Sequence, residues 1–168
     1  ASIALGGVKI LAQRYIELIE TQIGTATPQR AKQLELLRDT LCKISRNGAE
    51  NLYEAIQLYI LLWTVMCMEQ APNPYAFSVG NADRIFEPYR KMSNTDRDTT
   101  AALLKHFLVF FNVGDRSWAI SQNVIVGGRD YEGNDLTSVM SYAILDAYYD
   151  MNLPQPILSV KLHKNTPK

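Results

Sequence analysis

Cys67 and Glu69 stand two residues apart, a thiol followed by a carboxylate that could serve it as a base. The run around them reads as a helix, where residues two apart face different directions, so the two groups could not converge on one substrate. Cys67 is therefore expected to pack in a core, where free cysteine is common. His106 in an apolar helical run and His163 at a strand end have no Cys, His or carboxylate at ligand spacing. Both read as structural or surface histidines, and no metal site is expected. Ser78 and Ser141 lack the G-x-S-x-G setting of a nucleophile elbow. Gly127-Gly128 lacks the GxGxxG and GxxxxGK patterns of a phosphate cradle and reads as a strand-end turn with positive φ. Asp83 and Arg84 read as capping and local pairing groups. Residue by residue, then, the chain offers no catalytic, cofactor-binding or metal-binding group.

Composition narrows the class. With 17 Lys plus Arg against 17 Asp plus Glu, the 168 residues carry no net field to draw nucleic acid or an acidic membrane. The 47% hydrophobic and 20% charged content is that of a soluble globular protein. Cys42 and Cys67 both lie in helix-like apolar settings. Two reduced, buried thiols fit a cytoplasmic protein and are too few for a disulfide framework. No basic leader run precedes the first helix. The most apolar stretch, 55–68, is expected to fall short of a membrane span and to form a buried helix.

The elements that would position these groups follow from periodicity. Residues 8–23 place Val8, Leu11, Tyr15, Ile16, Leu18, Ile19 and Ile23 near helical spacing, and Gly24 stops them. Thr27-Pro28 is an N-cap followed by proline at the first helical position. That second helix carries Leu34, Leu37, Leu41 and Ile44 on one stripe and is expected to close at Asn47-Gly48, antiparallel to the first. Asn51 caps a third, with Glu54 able to reach back as in a capping box and an apolar surface implying burial on nearly all sides. Beyond the prolines at 72 and 74, a short strand is expected over 75–80 and a helical segment broken at Pro88 over 83–92. A helix from Ser93 or Asn94 to about Asn112, a loop over 113–121, a strand over 122–126, a helix over 136–151 and a strand over 157–163 complete the chain. Trp63, Phe107, Phe110, Phe111, Tyr148 and Tyr149 are expected in the core. The order is three helices followed by β-α-β-α-β, a helix-rich α/β unit with a parallel sheet. Residues 1–168 read as one unit, helical over 1–70 and βαβαβ over 71–168.

Several runs carry a resemblance. Glu69, Asn73, Ser78, Gly80, Asp83, Pro88 and Tyr89 occur in order, followed by Gly127-Gly128, Gly133-Asn134-Asp135, Ser141-Tyr142, Pro154-Gln155-Pro156 and Ser159-Val160-Lys161-Leu162-His163. Together they resemble the barrel of the glycyl radical enzymes, the family of pyruvate formate-lyase and the glycerol-type dehydratases. In that family Asn-Gly, Ser-x-Gly-Arg, Asp-Gln and Ser-Val-Arg-x-His stand where this chain has Asn73-Pro74, Asn81 after Gly80, Asp83-Arg84 and Lys161. The chain is thus expected to be an internal part of a pyruvate formate-lyase-like α/β barrel.

The resemblance implies the chemistry. Such enzymes store a radical on a glycine near the C-terminus and pass it to a cysteine, whose thiyl abstracts hydrogen from substrate. The cysteine loop is expected beyond Lys168, and the Arg-Val-x-Gly radical motif does not occur here. The fragment alone is therefore expected to be inert and to bind no cofactor, the intact parent carrying a glycyl radical installed by an S-adenosylmethionine radical activase. Implied partners are a small-molecule substrate and that activating enzyme, with a homodimer allowed and no nucleic acid or membrane. Where dehydratases carry His-Ser against the substrate hydroxyls and pyruvate formate-lyase carries Ala-Ala, this chain has Tyr75-Ala76. Tyr75, Ala76, Phe77 and Ser78 are the candidate substrate contacts, although Tyr75 and Phe77 could equally fill a barrel layer as good strand formers. The expected function is radical C–C or C–heteroatom cleavage of the formate acetyltransferase or dehydratase kind. The alternative is a non-catalytic helical interaction or oligomerisation module that kept the scaffold.

Overall fold

A computed structural model describes residues 2–69, 78–114 and 122–167. Helices α1 (Ser2–Ile23) and α2 (Pro28–Ile44) form a hairpin over a core of Ala12, Ile16, Ile19, Leu34, Leu41 and Ile44. Thr27 caps α2, its hydroxyl accepting from the Arg30 amide at 3.4 Å, with Pro28 at the first position. The helix stops at Ile44, earlier than its Asn47-Gly48 signal, because the amides of Arg46 and Asn47 fold back onto the Lys43 carbonyl. Cys42 is exposed, against expectation. Leu41 faces the hairpin core, and the next residue is turned about 100° away from it.

Helix α3 (Leu52–Glu69) joins this core to a larger one. Asn51 Oδ1 accepts from the Glu54 amide at 2.9 Å. Glu54 reaches back one residue further than a capping box, taking the Glu50 amide at 2.8 Å and Lys43 Nζ at 2.9 Å. By length and composition α3 is enough to cross a membrane, more than its sequence suggested. Leu52, Ala55, Ile56, Leu61 and Trp63 are buried, whereas Leu62, Met66 and Met68 are exposed, so burial is one-sided rather than complete.

Three parallel strands follow, β1 (Gly80–Asn81), β2 (Asn123–Gly127) and β3 (Ile157–Lys161), side by side in that order. Two helices, α4 (Ala82–Met92) and α5 (Arg97–Gly114), lie between β1 and β2, where two helical segments were expected, and α6 (Val139–Met151) lies between β2 and β3. Pro88 does not break α4. The amide bond it removes is offset on its flanks, where Phe86 enters the core and Glu87 holds Arg90 and the Met140 amide. Starts and stops sit where side chains satisfy free amides. Asp96 takes the Thr99 amide before α5, and Ser138 and Ser141 cap α6 reciprocally, so α5 begins at Arg97 and α6 at Val139, each later than expected.

Val124 and Val126 of β2 are buried under the helices, with Phe86, Phe107, Phe111, Met140, Ala143 and Ala147. Tyr59, Trp63, Phe86, Phe107, Phe110 and Phe111 meet edge-on or tilted, with centroids 4.9–6.4 Å apart. Tyr149 does not join them and is 86% exposed, because Ile144 and Ala147 set the inward face of α6 and Tyr149 lies off it. Side chains alternate across a strand. Asn123 and Ile125 therefore look away from the helices and stay half-buried. On β3 the pattern is mostly exposed, since among the described residues no strand pairs its outer edge.

Candidate functional site

The chemistry-bearing residues that converge do so at the carboxyl-terminal ends of the three strands. Asp83, in the first turn of α4, is 1% exposed. Its Oδ2 accepts from the Gly127 amide and from Ser141 Oγ, both at 2.6 Å, and its Oδ1 from the Arg84 amide at 2.8 Å. One carboxylate thus ties the start of α4 to the end of β2 and the start of α6. Gly127 and Gly128 have φ of +73° and +98°. A Cβ on Gly127 would also lie 3.0 Å from the Lys161 carbonyl, so glycine is required by backbone angle and by close approach. The strand-end turn read from the sequence is the turn observed. Asp83, expected to act only locally, bridges three elements.

Around this latch lies a polar rim. Arg84 Nη2 donates to the Gly127 carbonyl at 3.3 Å, and Lys161 Nζ donates to Asn81 Oδ1 at 3.0 Å. The turn after β2 is held by Asp130, which takes the amides of Glu132 and Asn134 at 2.9 and 2.8 Å. Asp135 then meets His163 Nε2 at 2.8 Å and Thr137 Oγ1 at 3.1 Å. Burial pushes the Asp135 carboxyl up, but the His163 and Thr137 hydrogen bonds outweigh it and hold the group below the usual carboxylate range. His163 Nδ1 accepts from the Asn165 amide at 3.4 Å, which leaves Nε2 to donate to Asp135. The histidine pins the chain beyond β3 to the glycine turn, a structural role. His106 is exposed on α5.

Among the sequence-derived candidates, Tyr75, Ala76 and Phe77 lie outside the described residues. Ser78 is exposed, and its hydroxyl accepts from the Asn123 amide at 2.9 Å, fastening the start of β1 to β2. Cys67 is half-buried against the aromatic core while Glu69 is exposed, so the thiol and carboxylate do not converge. Among the described residues no group of three or more His, Cys, Asp or Glu is placed to hold a metal ion. Two polar atoms, Gln122 Oε1 and Asn123 Oδ1, are buried without a partner among the described residues. Asn123 belongs to the sheet face that the helices leave bare. The alternation of Asn123 and Ile125 with Val124 and Val126 was the available signal for that face.

Glu87 secures the helices behind the site. It is buried, takes Arg90 Nε and Nη2 at 2.8 Å each, and accepts from the Met140 amide at 3.2 Å. Burial raises its carboxyl, yet the Arg90 hydrogen bond and charge and the Met140 amide outweigh that, leaving it below the usual range. A carboxyl depressed on folding stabilises above its unfolded value of about 4.3, and that contribution fades as pH falls through the folded value. Thermal denaturation across a pH series should therefore show Glu87→Gln less stable than the parent near neutrality. The gap should close in acid. A gap that stays constant down to pH about 3 would contradict the assignment.

Comparison with known proteins places this geometry. The family model described as "Pyruvate formate lyase-like" matches residues 1–168. The chain is 29% identical to trans-4-hydroxy-L-proline dehydratase of Clostridioides difficile over 99% of its own length and 23% of that protein's. It is 25% identical to isethionate sulfite-lyase of Oleidesulfovibrio alaskensis, covering 99% of this chain and 22% of the other. Among solved structures, the glycerol-bound form of the B12-independent glycerol dehydratase from Clostridium butyricum superposes with a TM-score of 0.81 at 27% identity. That match covers 98% of this chain and 22% of that one. The chain thus spans under a quarter of the length of the relatives it matches, and its helices and parallel strands correspond to part of their barrel.

Proposed function

The chain belongs to the pyruvate formate lyase-like family, and from that premise we propose that it forms one section of the barrel wall of a glycyl radical dehydratase or lyase. The observation that supports this most is a parallel three-stranded sheet whose middle strand buries Val124 and Val126 against helices while, among the described residues, Asn123 and Ile125 on its other face stay half-buried, as a wall facing a barrel interior would. The glycyl radical of such an enzyme supplies, through a thiyl, hydrogen abstraction from substrate. The part of this chain is positional. Asp83 and Gly127 fix the ends of the strands, and the packed helices hold the wall closed to water.

The relatives are by name dehydratases of hydroxyproline and sulfopropanediol and sulfite-lyases of isethionate. On that ground the parent reaction is cleavage of a C–O or other C–heteroatom bond in a small polar molecule, ahead of formate acetyltransferase chemistry. Tyr75, Ala76, Phe77 and Ser78 remain the proposed substrate contacts. The hydroxyl of Ser78, which accepts from Asn123, can still donate one hydrogen bond. An activating enzyme of the radical S-adenosylmethionine class, a cytoplasmic setting and a homodimer belong to the same proposal.

The test is to co-express the full-length parent anaerobically with a radical S-adenosylmethionine activase and record its electron paramagnetic resonance spectrum. A glycyl radical signal, with consumption of trans-4-hydroxy-L-proline, isethionate or glycerol, is the expected result. A parent that forms no radical would refute the reading, and turnover by the 168 residues alone would refute their positional role. A second reading rests on Leu62, Met66 and Met68, exposed on α3. They could serve a non-catalytic helical module as an oligomer interface. Absence of the radical together with concentration-dependent self-association that Met66→Glu abolishes would favour it.

A further inference from the structure

Two cations meet at the carboxyl-terminal ends of the strands, and neither has a carboxylate partner among the described residues. Arg84 stands in the first turn of α4 and Lys161 ends β3. Both flank Gly128, where a Cβ would lie 3.0 Å from Arg84 Nη2 and 3.2 Å from Lys161 Cδ. Each makes its hydrogen bond to a neutral oxygen, Arg84 to the Gly127 carbonyl and Lys161 to the Asn81 amide. A guanidinium has five donors and an ammonium three, so most of this donor capacity is unused. Both side chains are exposed. By contrast, Lys43, Arg90, Arg97 and Lys105 each hold a carboxylate at 2.6–2.9 Å.

The nearby acids are otherwise engaged. Asp83 is buried and engaged by Gly127, Ser141 and the Arg84 amide. Asp135 holds His163, and Asp130 holds Asn134. Glu132 lines an outer hollow of about 560 Å³ with Arg84, Arg129 and Asp130, and neither Lys161 nor Asn81 lines it. Asn81 Oδ1 is occupied by Lys161, which leaves its Nδ2 as a third donor. Like charges brought together over a glycine, with idle donors and at the end of a parallel sheet, suit an oxyanion.

We propose that Arg84, Lys161 and the Asn81 amide form an anion subsite over Gly128 that receives a carboxylate or sulfonate group of the parent enzyme's substrate. The word substrate rests on the function proposed above. The anion site itself rests on this chain. Its occupant is a small molecule bearing one oxyanion, and a neutral polyol such as glycerol would gain nothing from it.

The test titrates the ¹⁵N-labelled chain with sodium acetate and with sodium methanesulfonate, ionic strength being held constant with chloride, and follows the amides of Asn81, Gly127 and Gly128. Saturable shifts confined to these amides are expected. Arg84→Met and Lys161→Met should each weaken binding by about tenfold or more, and Lys161→Arg should keep it. Dispersed amide spectra show that the variants are folded, and Lys161→Met leaves the Arg84–Gly127 bond in place. Shifts that never saturate, or affinities unchanged in both Met variants, would overturn the site. Because the readout is binding to this chain, a parent without a glycyl radical would leave the subsite standing. An active parent whose chain fails the titration would remove the subsite alone.

Discussion

Asp83→Ala is expected to destabilise the chain by roughly 3–5 kcal/mol, read as a lowered urea midpoint with little change in slope. The carboxylate is 1% exposed and accepts three hydrogen bonds, two of them at 2.6 Å from groups on other elements. Alanine would leave the Gly127 amide and the Ser141 hydroxyl buried without an acceptor, each at a cost of about 1–3 kcal/mol. Removing a buried charge works in the opposite direction, since the carboxylate no longer has to be desolvated. That gain is limited here because three donors already replace its water. Ser141→Ala removes one donor to the carboxylate, which keeps two others, and the acceptor of the Ser138 amide in the α6 cap, so it should cost about 1–2 kcal/mol. A result in which Asp83→Ala falls within 1 kcal/mol of the parent would mean that the bridge does not hold the strand ends.

Phe111→Ala should cost about as much, roughly 3–5 kcal/mol, by a different route. Its ring is 0% exposed and contacts Phe107, Phe110 and Trp63 with centroids 4.9, 5.8 and 5.9 Å away. Truncation loses the transfer free energy of the ring and leaves a cavity among side chains from α3 and α5, which helical backbones cannot easily collapse. Phe111→Leu keeps much of the volume and should cost less than half of that. Loss of near-ultraviolet dichroism alongside the midpoint shift would show the aromatic cluster loosening. An unchanged midpoint for Phe111→Ala would mean that this cluster is not the principal core.

Where a signal was local, it was readable. Thr27-Pro28 marks the start of α2, Asn51 caps α3, and Gly127-Gly128 turns the chain with positive φ at the end of a strand. Errors arose where a helix could be satisfied in two ways. Hydrophobic periodicity over 136–151 put the start of α6 too early, because the reciprocal bonds of Ser138 and Ser141 decided it. Cys42 and Tyr149 were placed inside on apolar context, yet each sits just off the stripe its helix buries. The substrate contacts proposed at Tyr75, Ala76 and Phe77 were read from a departure in pattern and fall outside the described residues.

The sequence by itself determined the helices, the parallel β-α arrangement and the family, because periods of 3.6 and 2 and ordered motifs are properties of neighbouring residues. Only the tertiary structure decided that Asp83 would reach Gly127 and Ser141, 44 and 58 residues along the chain, and that Lys161 would reach back 80 residues to Asn81. Such partners meet through strand register and helix packing. No local spacing encodes that closure, so a residue that reads as a helix cap becomes the bridge of the site.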